Sequence, residues 1–351
     1  MSPGAYPMEA KNDSANLDLV RAVAVLCVFV AHFRDQYTGT GAHISWLLGQ
    51  LGVLIFFVHT SLVLMLSLER SARRLYGTKL AADFYVRRFF RIYPLSVVCV
   101  TLAFVGLVPT SPNAWQWPTY LTNLALTMNL TYSEEMWPVL WTLPLEVQMY
   151  VALPVLFLCL RGRALGWAFA IWGLAAAAGV IQPHISNRLS IGQWAPCFVA
   201  GVVAWRLMRT VRPRVSGAWW PLVFAASWLV WAIAPRHGAE YHRWVFCLTL
   251  GCLIPWFSDL RWPPLVAAAR TVAKYSYGIY LSHYAVLGFA FSFQGPWRWL
   301  ILAGLGVLAP VAMFHLIEQP MIDVGRTVAA RLGTRRPVSP PVVEAAAART
   351  L

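Results

Sequence analysis

The sequence contains little charge for its length. Asp, Glu, Lys and Arg make up 12% of its 351 residues and hydrophobic residues 59%, whereas about a quarter of an ordinary soluble domain is charged. This composition excludes a soluble globular domain and predicts an all-α, polytopic bundle of membrane helices. The chain has 28 Lys and Arg against 14 Asp and Glu. Such an excess would indicate nucleic-acid binding only if the basic residues lay on a soluble surface. The chain leaves little room for such a surface, so we expect no nucleic-acid partner.

Several patterns that mark other classes of protein are also missing. The six cysteines lie in apolar stretches without CxxC spacing or histidines at zinc-finger spacing, so we expect neither a disulfide framework nor a metal site. The sequence has no GxSxG elbow, no Gly-rich phosphate loop and no HExxH. The motifs typical of a hydrolase, a nucleotidase or a metalloprotease are therefore missing. No clear internal repeat indicates an inverted-repeat transporter.

Apolar runs between Arg clusters or Pro and Gly turns predict ten transmembrane helices, since a span needs about 20 residues. The first run contains Arg21 and no clear cleavage site, which favours a retained helix over a signal peptide. A weaker stretch, 115–131, is broken by Pro118 and Asn123 and suits a re-entrant or interfacial segment. The predicted spans are 17–35, 45–68, 91–109, 140–160, 164–182, 192–209, 218–234, 242–257, 273–291 and 298–318.

Basic residues predict the orientation of this bundle. With a cytoplasmic N-terminus, 23 of the 28 Lys and Arg fall on the cytoplasmic side and 5 on the other, as the positive-inside rule requires. We therefore predict a multi-pass membrane protein with both termini in the cytoplasm. A polar segment, 1–16, precedes the membrane domain, 17–320. Residues 321–351 are predicted to form a disordered cytoplasmic tail, rich in Ala, Pro and Arg from about residue 330.

Two titratable residues share one face of the first predicted helix. Arg21 and His32 are eleven residues apart, which corresponds to three turns plus roughly 20° and to about 16 Å along the axis. Ionisable groups within a membrane are costly and by default functional. This face could bind an anionic, elongated ligand through Arg21 and perform proton chemistry deeper in the membrane through His32. The alternative is a snorkelling arginine and a hydrogen-bonded core histidine.

A cluster of arginines precedes the third predicted span, in the segment VRRFFRIYPL. We place Arg87, Arg88 and Arg91 in a loop at the cytoplasmic boundary, with Pro94 just inside the helix. Arg88 and Arg91 lie on one helix face and could hold phosphates through bidentate hydrogen bonds. The alternative interpretation is a topology anchor or a contact with lipid headgroups.

Further polar groups lie within the predicted spans. Glu146, in WTLPLEVQMY, could orient an imidazolium, bind a hydroxyl-rich acceptor or form a structural ion pair. His59 lies in the second span. For His283, in YSYGIYLSHY, and Glu318, in FHLIEQPMI, structural roles are favoured over chemical ones.

Taken together, these segments resemble membrane acyltransferase family 3. The resemblance covers roughly residues 16–325 and rests on five segments in the family's order. The Arg, ten residues, His pattern and the Arg-X-X-Arg pattern are specific when they occur together. The segments are LDLVRAVAVLCVFVAHF, VRRFFRIYPL, WTLPLEVQMY, YSYGIYLSHY and FHLIEQPMI.

The resemblance implies an activity and the residues that carry it. Family members move an acyl group from cytoplasmic acyl-coenzyme A to a hydroxyl, usually of an envelope glycan, a lipid-linked saccharide or a secreted small molecule. Arg21 and His32 match the essential pair of the first helix. Arg88 and Arg91 match the donor-side arginines, and Glu146 matches the acidic residue of the Trp-Ser-Leu-X-X-Glu motif.

The chain departs from the family pattern at two places. Val147 stands where a second Glu often follows the first, which argues against a mechanism with paired carboxylates. The run His59, Thr60, Ser61 and Leu62 replaces Leu-Ser-Gly-Phe, so we expect His59 to shape this member's own pocket.

The sequence and this resemblance thus predict an O-acyltransferase of the bacterial inner membrane without a permanently bound cofactor. Arg88 and Arg91, helped by Arg21, would bind the phosphates of acyl-coenzyme A, and His32 would remove the proton of the acceptor hydroxyl. Glu146 would orient the imidazole or the acceptor, which is a carbohydrate or a macrolide-like molecule. A covalent acyl-histidine remains an alternative. The competing classes are an exporter or flippase of a saccharide or lipid, and a non-catalytic scaffold.

Overall fold

The computed structural model describes residues 14–41, 43–106, 115–185, 191–233 and 239–333. Helices dominate this part of the chain and no β-strand occurs in it, which confirms the all-α prediction. Short 3-10 turns lie at Gly217–Trp219 and Ile254–Trp256, and a π-helical turn at Phe314–Glu318. The helices are α1 (Ala15–Thr38), α2 (His43–Ser71), α3 (Gly77–Phe104), α4 (Trp117–Leu124), α5 (Met128–Thr131), α6 (Thr142–Leu160), α7 (Leu165–Ile185), α8 (Ile191–Leu207), α9 (Trp220–Ile233), α10 (Ala239–Leu253), α11 (Pro263–Phe291), α12 (Trp297–Met313) and α13 (Gln319–Gly333).

Each of the ten predicted spans overlaps one of the longer helices. Within the described ranges, five helical segments are long and apolar enough to cross a membrane: α1, α2, α6, α7 and the continuous run Trp297–Leu332. The chain is therefore a helical membrane protein. The count of ten spans and the sides of the two termini stay predictions.

The weak apolar stretch 115–131 forms two short helices. α4 has 8 residues and α5 has 4, which gives lengths of about 12 and 6 Å at 1.5 Å per residue. The hydrocarbon core is about 30 Å thick. Neither helix can span it, in agreement with an interfacial or re-entrant segment.

The interpretation of VRRFFRIYPL as a loop is wrong, because α3 begins at Gly77, before this segment. Arg88 and Arg91 therefore lie well inside a helix and not in a loop. Hydrophobicity alone misses the first half of α3, which is stabilised by polar contacts. One of these is the ion pair between Arg87 Nε and Asp83 Oδ1 (2.9 Å), at the i, i+4 spacing that favours helices.

The predicted disordered tail, 321–351, begins too early in the chain, because helix α13 continues to Gly333. A Cβ atom at Gly325 would lie 2.7 Å from Phe90 Cβ, so α13 packs closely on α3. Arg326 also pairs with Asp323 (2.8 Å). These contacts order residues 321–333 despite their polar composition. The rest of the predicted tail, 334–351, lies outside the described residues.

Glycines bring the central helices close together. A side chain at Gly52 of α2 would overlap the carbonyl oxygen of Ala24 on α1, and one at Gly201 of α8 would overlap that of Val58 on α2. Small residues allow such close approach in membrane bundles, where van der Waals packing drives helix association. The wall formed by α1, α2 and α8 is therefore tightly packed.

Helix α11 is hydrogen-bonded to several other parts of the bundle. Its polar residues come from the segment YSYGIYLSHY, and each contacts a different partner. Arg21 Nε on α1 donates to Ser276 Oγ (2.6 Å), Tyr277 OH donates to Ile92 O on α3 (2.8 Å), Tyr280 OH donates to Val139 O before α6 (2.5 Å), and Trp137 Nε1 donates to Leu281 O (2.8 Å). These bonds join α1, α3 and the turn before α6 to one helix.

Reporter fusions test the predicted orientation. We expect reporters fused after Arg74, Arg212 and Arg335 to indicate cytoplasm, and those near Ser133 and His237 to indicate the opposite side, because the basic residues then follow the positive-inside rule. Paired alkaline phosphatase and fluorescent-protein fusions give the measurement. A cytoplasmic signal near His237, which lies outside the described residues, would contradict the ten-span topology.

Candidate active site

Four of the five predicted site residues line one cavity. It lies between α1, α2, α3, α6 and α11, and Arg21, Arg88, Arg91 and Glu146 all face it. These residues are separated by up to 125 positions in the chain, so the fold brings them together. The cavity volume is about 60 Å³.

Arg21 is held in place from two sides. Its Nε donates to Ser276 Oγ at 2.6 Å, and Ser276 in turn donates to Ala273 O at 2.8 Å. The guanidinium carbon lies 5.8 Å from the centre of the Phe56 ring, within the range of a cation–π contact. Arg21 thus points into the bundle, as its position on α1 predicted, and does not snorkel away from it.

The two arginines of α3 differ in their partners. Arg91 Nη1 lies 2.6 Å from Glu318 Oε1, and that carboxylate is buried. Arg88 Nε is buried and has no hydrogen-bond partner among the described residues. The three-residue spacing places both on one face of α3. Arg88 therefore offers an unused donor to a ligand, whereas Arg91 is already paired.

Glu146 accepts a hydrogen bond from Tyr150 OH, with 2.6 Å between Oε2 and the hydroxyl oxygen. The two residues are four apart on α6, and both are buried. No hydrogen bond in the described part of the chain joins Glu146 to His32. The predicted role of Glu146 in orienting the imidazole thus has no contact to support it, while a role toward a ligand in the cavity stays a prediction.

His32 lies just beyond this cavity and not within it. Val28, one turn earlier on α1, lines the cavity, and Val28 O lies 2.9 Å from His32 Nδ1. The same Nδ1 lies 3.2 Å from His283 Nε2, and the Tyr284 ring packs edge-on at 5.8 Å between centroids. Arg21 and His32 both contact α11, which confirms that they share one face of α1.

Several polar groups of the site were not identified from the sequence. Ser276, Tyr277 and Tyr280 line the cavity, and His283, for which a structural role was favoured, contacts His32. Positions 276, 280 and 283 follow the i, i+4, i+7 spacing of one helix face. That spacing within an apolar segment could have indicated a shared site.

His59 lines the cavity, as its departure from the family pattern suggested. It is buried, and its Nδ1 has no hydrogen-bond partner among the described residues. It adds a titratable side chain from α2 to the cavity that the arginines of α3 also line. A ligand group that reaches α2 could therefore bond to His59.

The charged groups of this site favour an anion. Three guanidinium groups and the carboxylates of Glu146 and Glu318 carry a formal net charge of about +1 when all are ionised. Cations inside a membrane protein face the bundle interior or a wet cavity and mark ligand paths. In the described ranges, no group of three or more His, Cys, Asp and Glu side chains is placed to hold a metal ion.

Comparison with known proteins identifies the family. The family model described as "Acyltransferase domain", of acyltransferase family 3, matches residues 14–316. Nodulation protein 10 of Rhizobium leguminosarum bv. viciae is 26% identical, with 90% of this chain aligned to 95% of that protein. Acyltransferase MdmB of Streptomyces mycarofaciens is 24% identical, with 91% of this chain aligned to 92% of its length. No solved structure gives a significant match. The chain therefore belongs to acyltransferase family 3 and is a membrane acyltransferase.

Proposed function

We propose that this protein moves an acyl group from cytoplasmic acyl-coenzyme A to a hydroxyl group of a carbohydrate or macrolide-like acceptor. The observation that carries the proposal is the arrangement along α1. Three half-buried arginines line the cavity, one of them with a buried, unpaired Nε, and His32 stands one turn beyond the cavity on α1, the helix that also carries Arg21. This order of groups suits a donor with a phosphorylated end and a distant thioester.

The arginine cluster would bind the phosphates of the donor. Arg88 presents an unbonded Nε, and guanidinium groups form strong, charge-assisted hydrogen bonds to phosphate. Arg91 would exchange Glu318 for a phosphate oxygen, and Arg21 would add a third positive charge. The arm of the donor would then extend along α1 past Val28 towards His32, over about 16 Å from Arg21. The cavity of about 60 Å³ must widen to admit it.

His32 would act as the general base of the transfer. The acceptor hydroxyl gives its proton to the imidazole as its oxygen attacks the thioester carbonyl carbon. The tetrahedral intermediate collapses with cleavage of the C–S bond, and the leaving thiolate takes the proton from the imidazolium. The products are an ester and free coenzyme A, and His32 returns to its neutral form. An acyl-histidine intermediate is the alternative route.

The acceptor would approach through an aromatic cluster beside His32. Phe33, Tyr37, Phe291 and Trp299 pack against one another with ring centroids 5.9 to 6.4 Å apart. Binding sites for small molecules are lined mainly by apolar and aromatic side chains, with few polar groups. These flat faces suit the apolar side of a sugar or macrolide ring. With a cytoplasmic N-terminus, this end of α1 faces the outside of the inner membrane.

A transfer assay tests the proposed function. We expect the purified protein in nanodiscs to release coenzyme A from acetyl- or longer acyl-coenzyme A, with the label appearing in an ester of a hydroxylated acceptor. Surface glycans and secreted metabolites that lose an acyl group in a deletion strain would supply the acceptor. Omission of the acceptor is the control. Transport of a saccharide or lipid without any release of coenzyme A would identify an exporter or flippase instead.

A further inference from the structure

We infer that His283 is a positioning residue that holds His32 in the tautomer whose Nε2 is free to accept a proton. The inference rests on the proposed function and adds a partner for the base that neither the family match nor the sequence pattern assigns. The observation behind it is the contact of 3.2 Å between His283 Nε2 and His32 Nδ1.

The backbone of α11 determines the tautomer of His283. His283 Nδ1 lies 2.7 Å from Tyr280 O and 3.1 Å from Ile279 O. Carbonyl oxygens only accept hydrogen bonds, so Nδ1 of His283 must carry the proton. In a neutral imidazole the other nitrogen then has a lone pair. His283 Nε2 is therefore an acceptor, and it is directed at His32.

The tautomer of His32 follows from two independent contacts. Val28 O lies 2.9 Å from His32 Nδ1 and can only accept. His283 Nε2 lies 3.2 Å from the same nitrogen and, by the preceding argument, also accepts. Both contacts require a proton on Nδ1, shared between the two acceptors. The lone pair of neutral His32 is then on Nε2, which is the atom that a general base needs.

Burial of His283 protects its hydrogen bond to His32. His283 is only 2% exposed, and Tyr280 and Phe29 pack against its ring at centroid distances of 6.0 and 6.3 Å. This burial of the ring disfavours water as a competing partner for its nitrogens. When His32 takes a proton, its Nδ1–H becomes a charge-assisted donor to His283 Nε2, which strengthens that bond. The pair thus orients the base and stabilises its imidazolium, in the position that a carboxylate holds in a Ser-His-Asp triad.

Two substitutions of His283 separate positioning from packing. Phe fills the space without an acceptor, whereas the Gln Oε1 atom can take the place of Nε2 and accept from His32. We expect His283→Phe to lower kcat about tenfold or more with little change in KM for acyl-coenzyme A, and His283→Gln to recover most of the loss. His43→Phe is the control, because His43 is exposed and stacks only on Trp46 in the described contacts. Equal kcat for His283→Phe and the parent, or equal losses in the Phe and Gln variants, would overturn the inference.

The tautomer can also be measured directly, independently of any acceptor. In the ¹⁵N spectrum of histidine-labelled protein in nanodiscs, assigned with His32→Gln, we expect His32 to show a protonated Nδ1 and an unprotonated Nε2. His283→Phe should shift the Nδ1 resonance of His32, because Val28 O alone then accepts from its N–H, and His283→Gln should restore the parent shift. A parent spectrum with the proton on His32 Nε2 would refute the inference. If the spectrum is as expected but no acyl donor is cleaved, the proposed function is wrong. The inferred hydrogen bond between His32 and His283 then still holds.

Discussion

Exchange of His32 for Gln should reduce acyl transfer by a factor of about 10² or more. Gln keeps much of the size of His and a hydrogen-bonding group, but it has no titratable nitrogen. Binding of acyl-coenzyme A should survive, because His32 lies beyond the cavity that contains the arginines. Turnover and donor affinity, measured on the same purified variant, give the two values to compare.

Arg21→Ala is the informative companion to this variant. Arg21 lines the cavity, so its removal should weaken donor binding as well as turnover, in contrast to His32→Gln. Both proteins must insert into the membrane at the parent level for the comparison to hold. Parent-like turnover by His32→Gln, with a normal response to acceptor, would exclude His32 as the base. His59 and Glu146 would then be the next candidates.

Replacement of both Arg88 and Arg91 by Ala should lower the affinity for acyl-coenzyme A by more than tenfold. Each guanidinium would contribute about 1.5 to 3 kcal/mol through charge-assisted hydrogen bonds to phosphate. Lys at both positions should restore only part of the affinity, because an ammonium group is a point charge without a fork of donors. Calorimetric titration of the solubilised protein gives the measurement.

The ion pair of Arg91 requires a control for stability in this experiment. Removal of Arg91 leaves the buried Glu318 without its partner at 2.6 Å, and breaking a buried pair costs about 3 to 5 kcal/mol. We therefore add Glu318→Gln to the Arg91→Ala variant, which removes the unpaired charge. Unchanged affinity for acyl-coenzyme A in the folded double Ala variant would refute the assignment of these arginines to the donor.

The parts of the site that depend on one helix could be predicted from the sequence. Helical periodicity placed Arg21 and His32 on one face of α1 and Arg88 and Arg91 on one face of α3, and the helices have these arrangements. The same logic could have linked Glu146 to Tyr150, which is four residues later and donates to it. Periodicity reports neighbours within a helix, because their spacing does not depend on the rest of the fold.

Contacts between distant helices could not be predicted in this way. His32 and His283 are 251 positions apart, and Arg91 and Glu318 are 227 apart. The first pair depends on how α1 packs against α11, and the second on how α3 packs against the π-helical turn Phe314–Glu318. The start of α3 was missed for another reason. Its first half is held by polar contacts such as that of Arg87 with Asp83, which a search for apolar runs does not detect.

The bonds of α11 also fix how α1, α3 and the turn before α6 lie relative to one another. Because this helix is joined to α1, α3 and the turn before α6, no one of these elements can slide along it without breaking hydrogen bonds. Arg88 and Arg91 therefore stay beside Arg21 in the cavity, and Arg21 lies about 16 Å from His32 along α1. Under the proposed function, a short thioester would reach either the arginines or His32 but not both. We therefore expect donors to be selected by the length of the arm, independently of the acyl group that it carries.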